Sequence, residues 1–204
     1  MDKLDNSLIE RVADYMGIES ALLKAVKLVE SGNKDGFLDS GRPQILFEGH
    51  IMYRKLKKKH GKPFADQCAK DYPTVVYPTW DRSMYKGGEE EWDRLELACE
   101  INRELALQSA SWGMFQIMGF NYRECGCSYI GRFVERMSES HEEQLKMICQ
   151  FMFNTKCLKY LKEHNWREFA KRYNGSGYEK NNYHQKIENA YINYKRAEEK
   201  AKEA

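Results

Sequence analysis

The sequence predicts an all-α, mainly helical protein, and three observations support that fold class. Apolar residues recur at the three- and four-residue spacing of a helix face along most of the chain. The alternation of polar and apolar residues that marks strands is almost absent. Polar or acidic residues precede several apolar periods and glycines end some of them, as helix caps and stops do. The 204 residues suffice for one sizeable core, alone or with a minor lobe.

The first two predicted helices lie close together in the sequence. Ser7 and Glu10 have the spacing of a capping box that opens a helix over residues 7–16. Gly17 suits the end of that helix, because glycine readily adopts the left-handed conformation. Ser20 then has the position of the cap of a second helix.

A carboxylate stands at the end of this second helix. Leu23, Val26 and Glu30 fall on one helix face, and Gly32 is placed to end the helix. A carboxyl group at the edge of an apolar face is partly desolvated, which raises its pKa toward the range of a general acid. The alternative is a solvated glutamate paired with Lys27, since most glutamates at helix ends are exposed.

The remaining segments continue the helical pattern. An apolar run at residues 45–48 leads into a helix, and residues 54–62 form a basic run without an acidic residue. This run is either a solvated helix end or a surface that meets an anionic polymer. Residues 63–88 hold three of the four prolines and are predicted as loops. One further helix is predicted over residues 89–105, and a break in periodicity follows at 109–120. Two helices are then predicted within 133–158, one over 166–174 and one over 183–204.

Composition restricts the class of function. With 42% hydrophobic and 13% aromatic residues, the chain is a folded globular protein. A net charge of +2 is too small to indicate nucleic acid as the main partner, so none is expected. No apolar run reaches the roughly 18 residues of a membrane span, so membrane insertion is not expected. The first six residues lack the basic start and apolar stretch of a secretory signal, so synthesis in the cytoplasm is expected.

The six cysteines do not indicate a disulfide framework or a metal centre. They are scattered through a long chain without a secretory signal, which favours free, buried thiols. The pair Cys125 and Cys127 is weak evidence for zinc, because structural zinc usually takes two close pairs of ligands. We therefore expect neither a metal nor a cofactor.

Three short patches carry a resemblance to a known superfamily. Glu30–Ser31, then Ser111, Gly113 and Gln116, then Tyr173–Asn174 resemble, in order and spacing, the lysozyme-like superfamily of goose-type lysozymes and lytic transglycosylases. A closer similarity is to the N-acetylmuramidase family of phage endolysins. The blocks that carry this similarity are residues 29–32, 36–38, 41–43, 45–50, 111–121 and 173–175.

The resemblance implies a fold, a substrate and a location. It implies one lysozyme-like catalytic domain over residues 1–204. The long stretch between Asp39 and Ser111 departs from a plain lysozyme-like core, and its basic run and proline-rich loops are expected to form a smaller helical lobe at about 51–105 that flanks the active-site groove. The substrate would be the glycan strands of bacterial peptidoglycan, cut at the β-1,4 bond between N-acetylmuramic acid and N-acetylglucosamine. A monomer is expected, which accumulates in the host cytoplasm and reaches the wall in the periplasm when a holin opens the membrane.

Glycosidic cleavage needs an acid beside the leaving oxygen and a negative group near the oxocarbenium-like centre. Glu30 is the predicted acid. Asp39, on a glycine-spaced loop, is the candidate second carboxylate, with a turn-capping role as the equal alternative. Glu48 is interpreted as a buried structural partner of Arg42 or His50, with a role in the site left open.

The other two patches supply predicted substrate-binding residues. Ser111 is expected to donate a hydrogen bond to Glu30, and Gly113 to let the backbone come close to a sugar. Gln116 offers a donor and an acceptor to an acetamido group. Tyr173 is expected to bring its hydroxyl near Glu30, while Asn174 turns the chain.

Three alternatives remain open at this point, of which one is a structural helical protein of a phage particle that would not bind the wall. A lytic transglycosylase would use a single glutamate as acid and then as base, and would release an anhydro sugar. A non-catalytic peptidoglycan-binding protein is the alternative from another class, against which Glu30 argues.

Overall fold

The computed structural model describes residues 5–32, 36–175, 178–179 and 181–203. Helices dominate this part of the chain, which confirms the predicted mainly helical class. No helix among the described residues is both long and apolar enough to cross a membrane. The α-helices are α1 (Asn6–Met16), α2 (Ser20–Ser31), α3 (Gly49–His60), α4 (Lys62–Asp71), α5 (Glu90–Gln108), α6 (Ile130–Glu139), α7 (His141–Asn154), α8 (Cys157–Lys162), α9 (Trp166–Asn174) and α10 (Tyr183–Glu203).

The start of α1 differs from the predicted capping box. Asp5 caps the helix, because its side chain accepts a hydrogen bond from the backbone N–H of Ser7. Ser7 therefore lies inside the first turn, and the prediction that Ser7 and Glu10 open the helix is wrong by two residues. Gly17 ends the helix with φ of 63°, in the left-handed conformation that was predicted.

The predicted cap of α2 is also wrong. The helix begins at Ser20 itself, and Glu19 before it makes no capping hydrogen bond through its side chain. The Ser20 hydroxyl instead donates to Oε1 of Glu198 at 2.6 Å, which ties α2 to the terminal helix α10. The apolar face of α2 is buried as predicted, with Leu23 and Val26 both at 0% exposure.

The chain divides into two compact units. The first unit contains α1, α2, α7, α8, α9 and α10, and its core is apolar and aromatic. The second unit contains α3, α4, α5 and α6 together with a small sheet. This sheet has three short antiparallel strands, β1 (Ile45–Phe47), β2 (Ala110–Trp112) and β3 (Ile117–Met118), in the order β1-β2-β3.

The sheet explains the break in helical periodicity. In β2 every residue is buried, so no polar and apolar alternation marks the strand. Trp112 pairs with Ile45 of β1 and packs edge-on against Trp92 and Phe133 at ring distances of 5.6 and 6.2 Å. The strands are therefore held by buried packing on the surrounding helices.

The predicted proline-rich loop is partly helical. Residues 62–71 form α4, with Pro63 in its first turn. Proline is tolerated there, because the backbone N–H that it lacks would have no helical partner. The loop prediction holds from residue 72 onward, where the only helical segment before α5 in the described chain is a single 3₁₀ turn, Arg82–Met84.

A buried ion pair organises the second unit. Glu91 is fully buried and accepts hydrogen bonds from the backbone N–H groups of Phe47, Lys86 and Gly87 and from Arg94 at 2.8 Å. Arg94 in turn donates to the Phe47 carbonyl at 3.0 Å. A buried charge is tolerated when it is paired and hydrogen-bonded in this way. The pair fixes the end of β1 and the loop that precedes α5.

Candidate active site

Glu30 lies in the last turn of α2, immediately before the helix ends. Its side chain keeps part of its surface exposed, and Oε1 accepts a hydrogen bond from the Tyr183 hydroxyl. Burial raises the pKa of Glu30 to about 8, against the opposing effect of the Tyr183 hydrogen bond. Glu30 is therefore mostly protonated at neutral pH, which is the state that a general acid requires.

Tyr183 contacts this carboxyl group, and a second tyrosine stacks on Tyr183. Tyr183, the first residue of α10, is buried, and Tyr173 near the end of α9 stacks against it with ring centroids 6.2 Å apart. Burial and the neighbouring Glu30 raise the pKa of both phenols well above the usual value, so both remain neutral donors. The expectation that Tyr173 brings its hydroxyl near Glu30 stays a prediction.

Sequence reasoning missed Tyr183. The available signal was helical spacing, since Tyr183, Ile187 and Ala190 fall on one face of α10 and are all buried. Such spacing marks a core-facing position but gives no indication of which buried side chain a phenol will meet. Asn174 lies at the end of α9, is exposed, and precedes Gly175 with φ of 75°, as expected of a chain turn.

The second patch forms a tight turn between β2 and β3. The hydroxyl of Ser111 donates to Oε1 of Gln116 at 2.8 Å, and the Gln116 amide donates to the Gly113 carbonyl at 2.9 Å. The three predicted residues of this patch therefore lie together in the second unit. The predicted donation from Ser111 to Glu30 stays a prediction.

Two residues of the same turn have a left-handed backbone conformation. Gln116 has φ of 46°, a left-handed value that is uncommon for a residue with a Cβ. Gly113 has φ of 70°, and its backbone N–H donates to the Gln44 carbonyl at 2.8 Å. Strained residues of this kind persist where the surroundings determine their conformation, often at ligand sites. Here the two side-chain hydrogen bonds of Gln116 hold it in this conformation.

Asp39 is exposed in a turn of the second unit. The turn is closed by backbone hydrogen bonds, from Leu38 N–H to the Arg42 carbonyl at 2.8 Å and from Gly41 N–H to the Leu38 carbonyl at 2.9 Å. Within the described residues the Asp39 carboxylate makes no hydrogen bond. Its predicted catalytic role stays a prediction, and its side chain does not cap the turn.

Glu48 has more partners than Asp39. It follows β1, its side chain is 16% exposed, and its Oε2 accepts a hydrogen bond from the Tyr85 hydroxyl at 2.6 Å. His50 Nδ1 lies 3.2 Å from the same oxygen. Of the two partners considered from sequence, His50 is therefore the one in contact. Arg42 instead pairs with Glu96 at 3.2 Å.

The cysteines are free thiols. Burial raises the pKa of Cys149 to about 12 and that of Cys157 to about 11, which keeps both thiols protonated and unreactive. Among the described residues, no group of three or more histidine, cysteine, aspartate or glutamate side chains is arranged to hold a metal ion.

A helical fold with a protonated carboxyl group at a helix end is typical of lysozyme-like glycoside hydrolases that act on peptidoglycan, and comparisons with known proteins place the chain in that class. The chain belongs to the N-acetylmuramidase family, whose model matches residues 19–195. It is also similar to the crystal structure of an endolysin from the Burkholderia phage AP3, with 38% sequence identity and a TM-score of 0.79. That match covers 95% of this chain and 72% of the endolysin chain. No curated protein matches the sequence.

Proposed function

We propose that the protein is a muramidase that hydrolyses the β-1,4 bond between N-acetylmuramic acid and N-acetylglucosamine, with Glu30 as general acid. The observation that carries this proposal is the raised pKa of Glu30, about 8, at the end of α2. A carboxylic acid that keeps its proton near neutral pH can protonate the leaving glycosidic oxygen. The family membership and the similarity to a phage endolysin support the same substrate.

Tyr183 sets which oxygen of Glu30 carries the proton. Because the phenol donates to Oε1, that oxygen acts as acceptor and the acidic proton resides on Oε2. The proton is then available in a fixed direction for the leaving oxygen. After transfer, the same hydrogen bond from Tyr183 stabilises the carboxylate that forms.

The second carboxylate is proposed to be Asp39 or Glu48. Asp39 is exposed and unpaired within the described residues, so it is free to activate water. Glu48 is held by Tyr85, with His50 beside it, and is therefore fixed in orientation for stabilising a cationic centre. The two assignments make different predictions for the activities of the Glu48→Gln and Asp39→Asn variants.

Mass spectrometry of fragments released from purified cell walls tests the reaction. We expect fragments that end in reducing N-acetylmuramic acid, because water attacks the sugar. Fragments that end in 1,6-anhydro-N-acetylmuramic acid would identify a lytic transglycosylase instead. Wall binding without any released fragment would identify a non-catalytic binding protein.

A further inference from the structure

Trp80 is the exposed tryptophan in the part of the chain that the structure describes. Its side chain is 57% exposed, although it lies in a segment that packs on the rest of the second unit. The indole N–H donates to the Tyr85 hydroxyl at 2.8 Å. Because this is the single polar group of the indole, the surface left to solvent is an apolar aromatic face.

The hydrogen-bond chain that begins at Trp80 has one possible direction. Tyr85 accepts from the indole and donates its own proton to Oε2 of Glu48 at 2.6 Å. Burial and the neighbouring Glu48 raise the pKa of Tyr85 far above its usual value, so the phenol keeps this proton. These two hydrogen bonds fix the orientation of the Trp80 ring relative to the Glu48 carboxylate.

The other oxygen of that carboxylate is open. Within the described residues, Oε1 of Glu48 accepts no hydrogen bond, while Oε2 has both Tyr85 and the nearby His50. The Glu48 side chain is 16% exposed, and Oε1 is not among the buried polar atoms that lack a partner, so it still reaches solvent. A donor group of a ligand can therefore take the place of water at this oxygen. The second unit therefore presents an exposed aromatic face, that of Trp80, together with an open hydrogen-bond acceptor, Oε1 of Glu48.

We propose that Trp80 and Glu48 Oε1 form a saccharide subsite, which takes one N-acetylated pyranose ring of the glycan. Such a ring presents an apolar face of C–H bonds and a rim of hydroxyl and amide donors. The face would stack on Trp80, and a rim donor would bind Glu48 Oε1. This subsite rests on the proposed function, because it names a part of the same substrate.

An apolar peptide segment fits the same place less well. It would cover the Trp80 face, but it would bring no donor to Glu48 Oε1 and would exclude the water that the carboxylate needs. The presence of both an apolar face and an acceptor therefore favours a sugar ring over an apolar partner. The tested probe is a tetramer of β-1,4-linked N-acetylglucosamine.

Binding is measured by calorimetry on the Glu30→Gln protein, and chromatography of the tetramer before and after each titration verifies that the probe stays intact. We expect Trp80→Ala to weaken the affinity by roughly tenfold, as loss of a stacked aromatic contact does. Trp80→Phe retains a ring and should stay within about threefold of the parent. The matched control is Phe153→Ala, which removes an aromatic side chain that is 71% exposed in the first unit, and should change nothing.

Tyr85→Phe is the second variant. It removes the hydroxyl that links Trp80 to Glu48, so we expect a loss of affinity between those of the two Trp80 variants. Equal affinity of Trp80→Ala and Phe153→Ala, or no binding of the tetramer by the parent, would overturn the subsite. Neither result depends on lysis, so failure of the subsite is separable from failure of Glu30 as the acid.

Discussion

Glu30 and Glu48 are among the carboxyl groups that accept a hydrogen bond from a tyrosine hydroxyl, and their surroundings differ. Glu30 at the end of α2 meets Tyr183 among neutral aromatic side chains, and burial raises its pKa to about 8. Glu48 after β1 meets Tyr85, but it also has the imidazole of His50 at 3.2 Å and a link to an exposed indole. The comparison shows that a tyrosine donor alone does not decide the role of a carboxyl group. An apolar enclosure suits a proton donor, whereas a polar, partly open setting suits an acceptor for a ligand.

The largest expected effect is on the enclosed carboxyl group. Glu30→Gln keeps the shape of the side chain but removes the acidic proton, so lysis of purified walls should fall by about 10²–10⁴-fold. Turbidity of a wall suspension measures the rate, and circular dichroism checks that the helical content is unchanged. A variant that lyses walls within threefold of the wild type would contradict the assignment of Glu30.

The second carboxylate is tested by two variants made in parallel. If Glu48 is the partner, Glu48→Gln should lower kcat/KM by more than tenfold while Asp39→Asn stays near the wild type. If Asp39 is the partner, Asp39→Asn should instead lower kcat/KM by more than tenfold, and the effect of Glu48→Gln should fall mainly on KM, because Glu48 would then only line the proposed sugar subsite. Asp39 is exposed, so its replacement should disturb the fold little. Kinetics on a soluble glycan oligomer, with products analysed for both variants, decide between the two.

Tyr183→Phe tests the opposing contribution to the pKa of Glu30. The hydroxyl stabilises the ionised carboxylate, so its removal should raise the pKa of Glu30 further above 8. Activity that requires protonated Glu30 is present below this pKa and is lost as the pH rises through it. The alkaline limb of kcat/KM should therefore move to higher pH, by about one unit for a hydrogen bond to a charged group. An unchanged limb would show that Tyr183 does not act on the titrating carboxyl group.

The helix that carries Glu30 could be predicted from the sequence because its signal is local. Leu23, Val26 and Glu30 lie within two turns of each other, and both the apolar face and the helix end at Gly32 agree with the structure. The capping predictions failed at Ser7 and Ser20 because several polar residues at each helix start compete for the role. At the start of α1 the cap is Asp5, and at the start of α2 the Ser20 hydroxyl donates to Glu198 of α10 and does not cap the helix.

The partners of the site residues could not be predicted, because they are distant in the sequence. Tyr183 lies 153 positions from Glu30, and Tyr85 lies 37 positions from Glu48. A helical period identifies Tyr183 as buried but does not specify its neighbour. The three-stranded sheet was missed for a similar reason, since its strands are only two or three residues long and are defined by pairing.

Ser111→Ala should have a smaller effect than the carboxyl variants. It removes the hydrogen bond that holds the Gln116 side chain, so we expect a loss of about 1 kcal/mol in stability and a raised KM. The control is Ser138→Ala, whose hydroxyl donates within α6 to the Val134 carbonyl. If Ser111 also reaches Glu30, as the sequence predicts, one limb of the pH profile should shift. Superimposable pH profiles of the wild type and Ser111→Ala would show that Ser111 acts only within the turn between β2 and β3.

The smallest effect is expected at the end of α3, where Lys57, Lys58 and Lys59 are exposed. Lysines near a helix carboxyl end favour the helix modestly, and Lys59 lies 3.7 Å from Glu104, so part of this charge has a structural role. If the other positive charges of this run contact an anionic wall, replacing Lys57, Lys58 and Lys59 by serine should weaken wall binding. It should also make wall binding less dependent on the salt concentration.

Charges exposed to solvent are screened over about 8 Å at physiological ionic strength, so this difference should be largest in dilute buffer. The matched control replaces three exposed lysines of the first unit by serine, namely Lys159, Lys162 and Lys171, and changes the net charge equally. A wall contact at α3 predicts weaker binding for the first triple variant alone. Equal weakening in both triple variants would mean that only net charge matters, and the end of α3 would then be a solvated helix end.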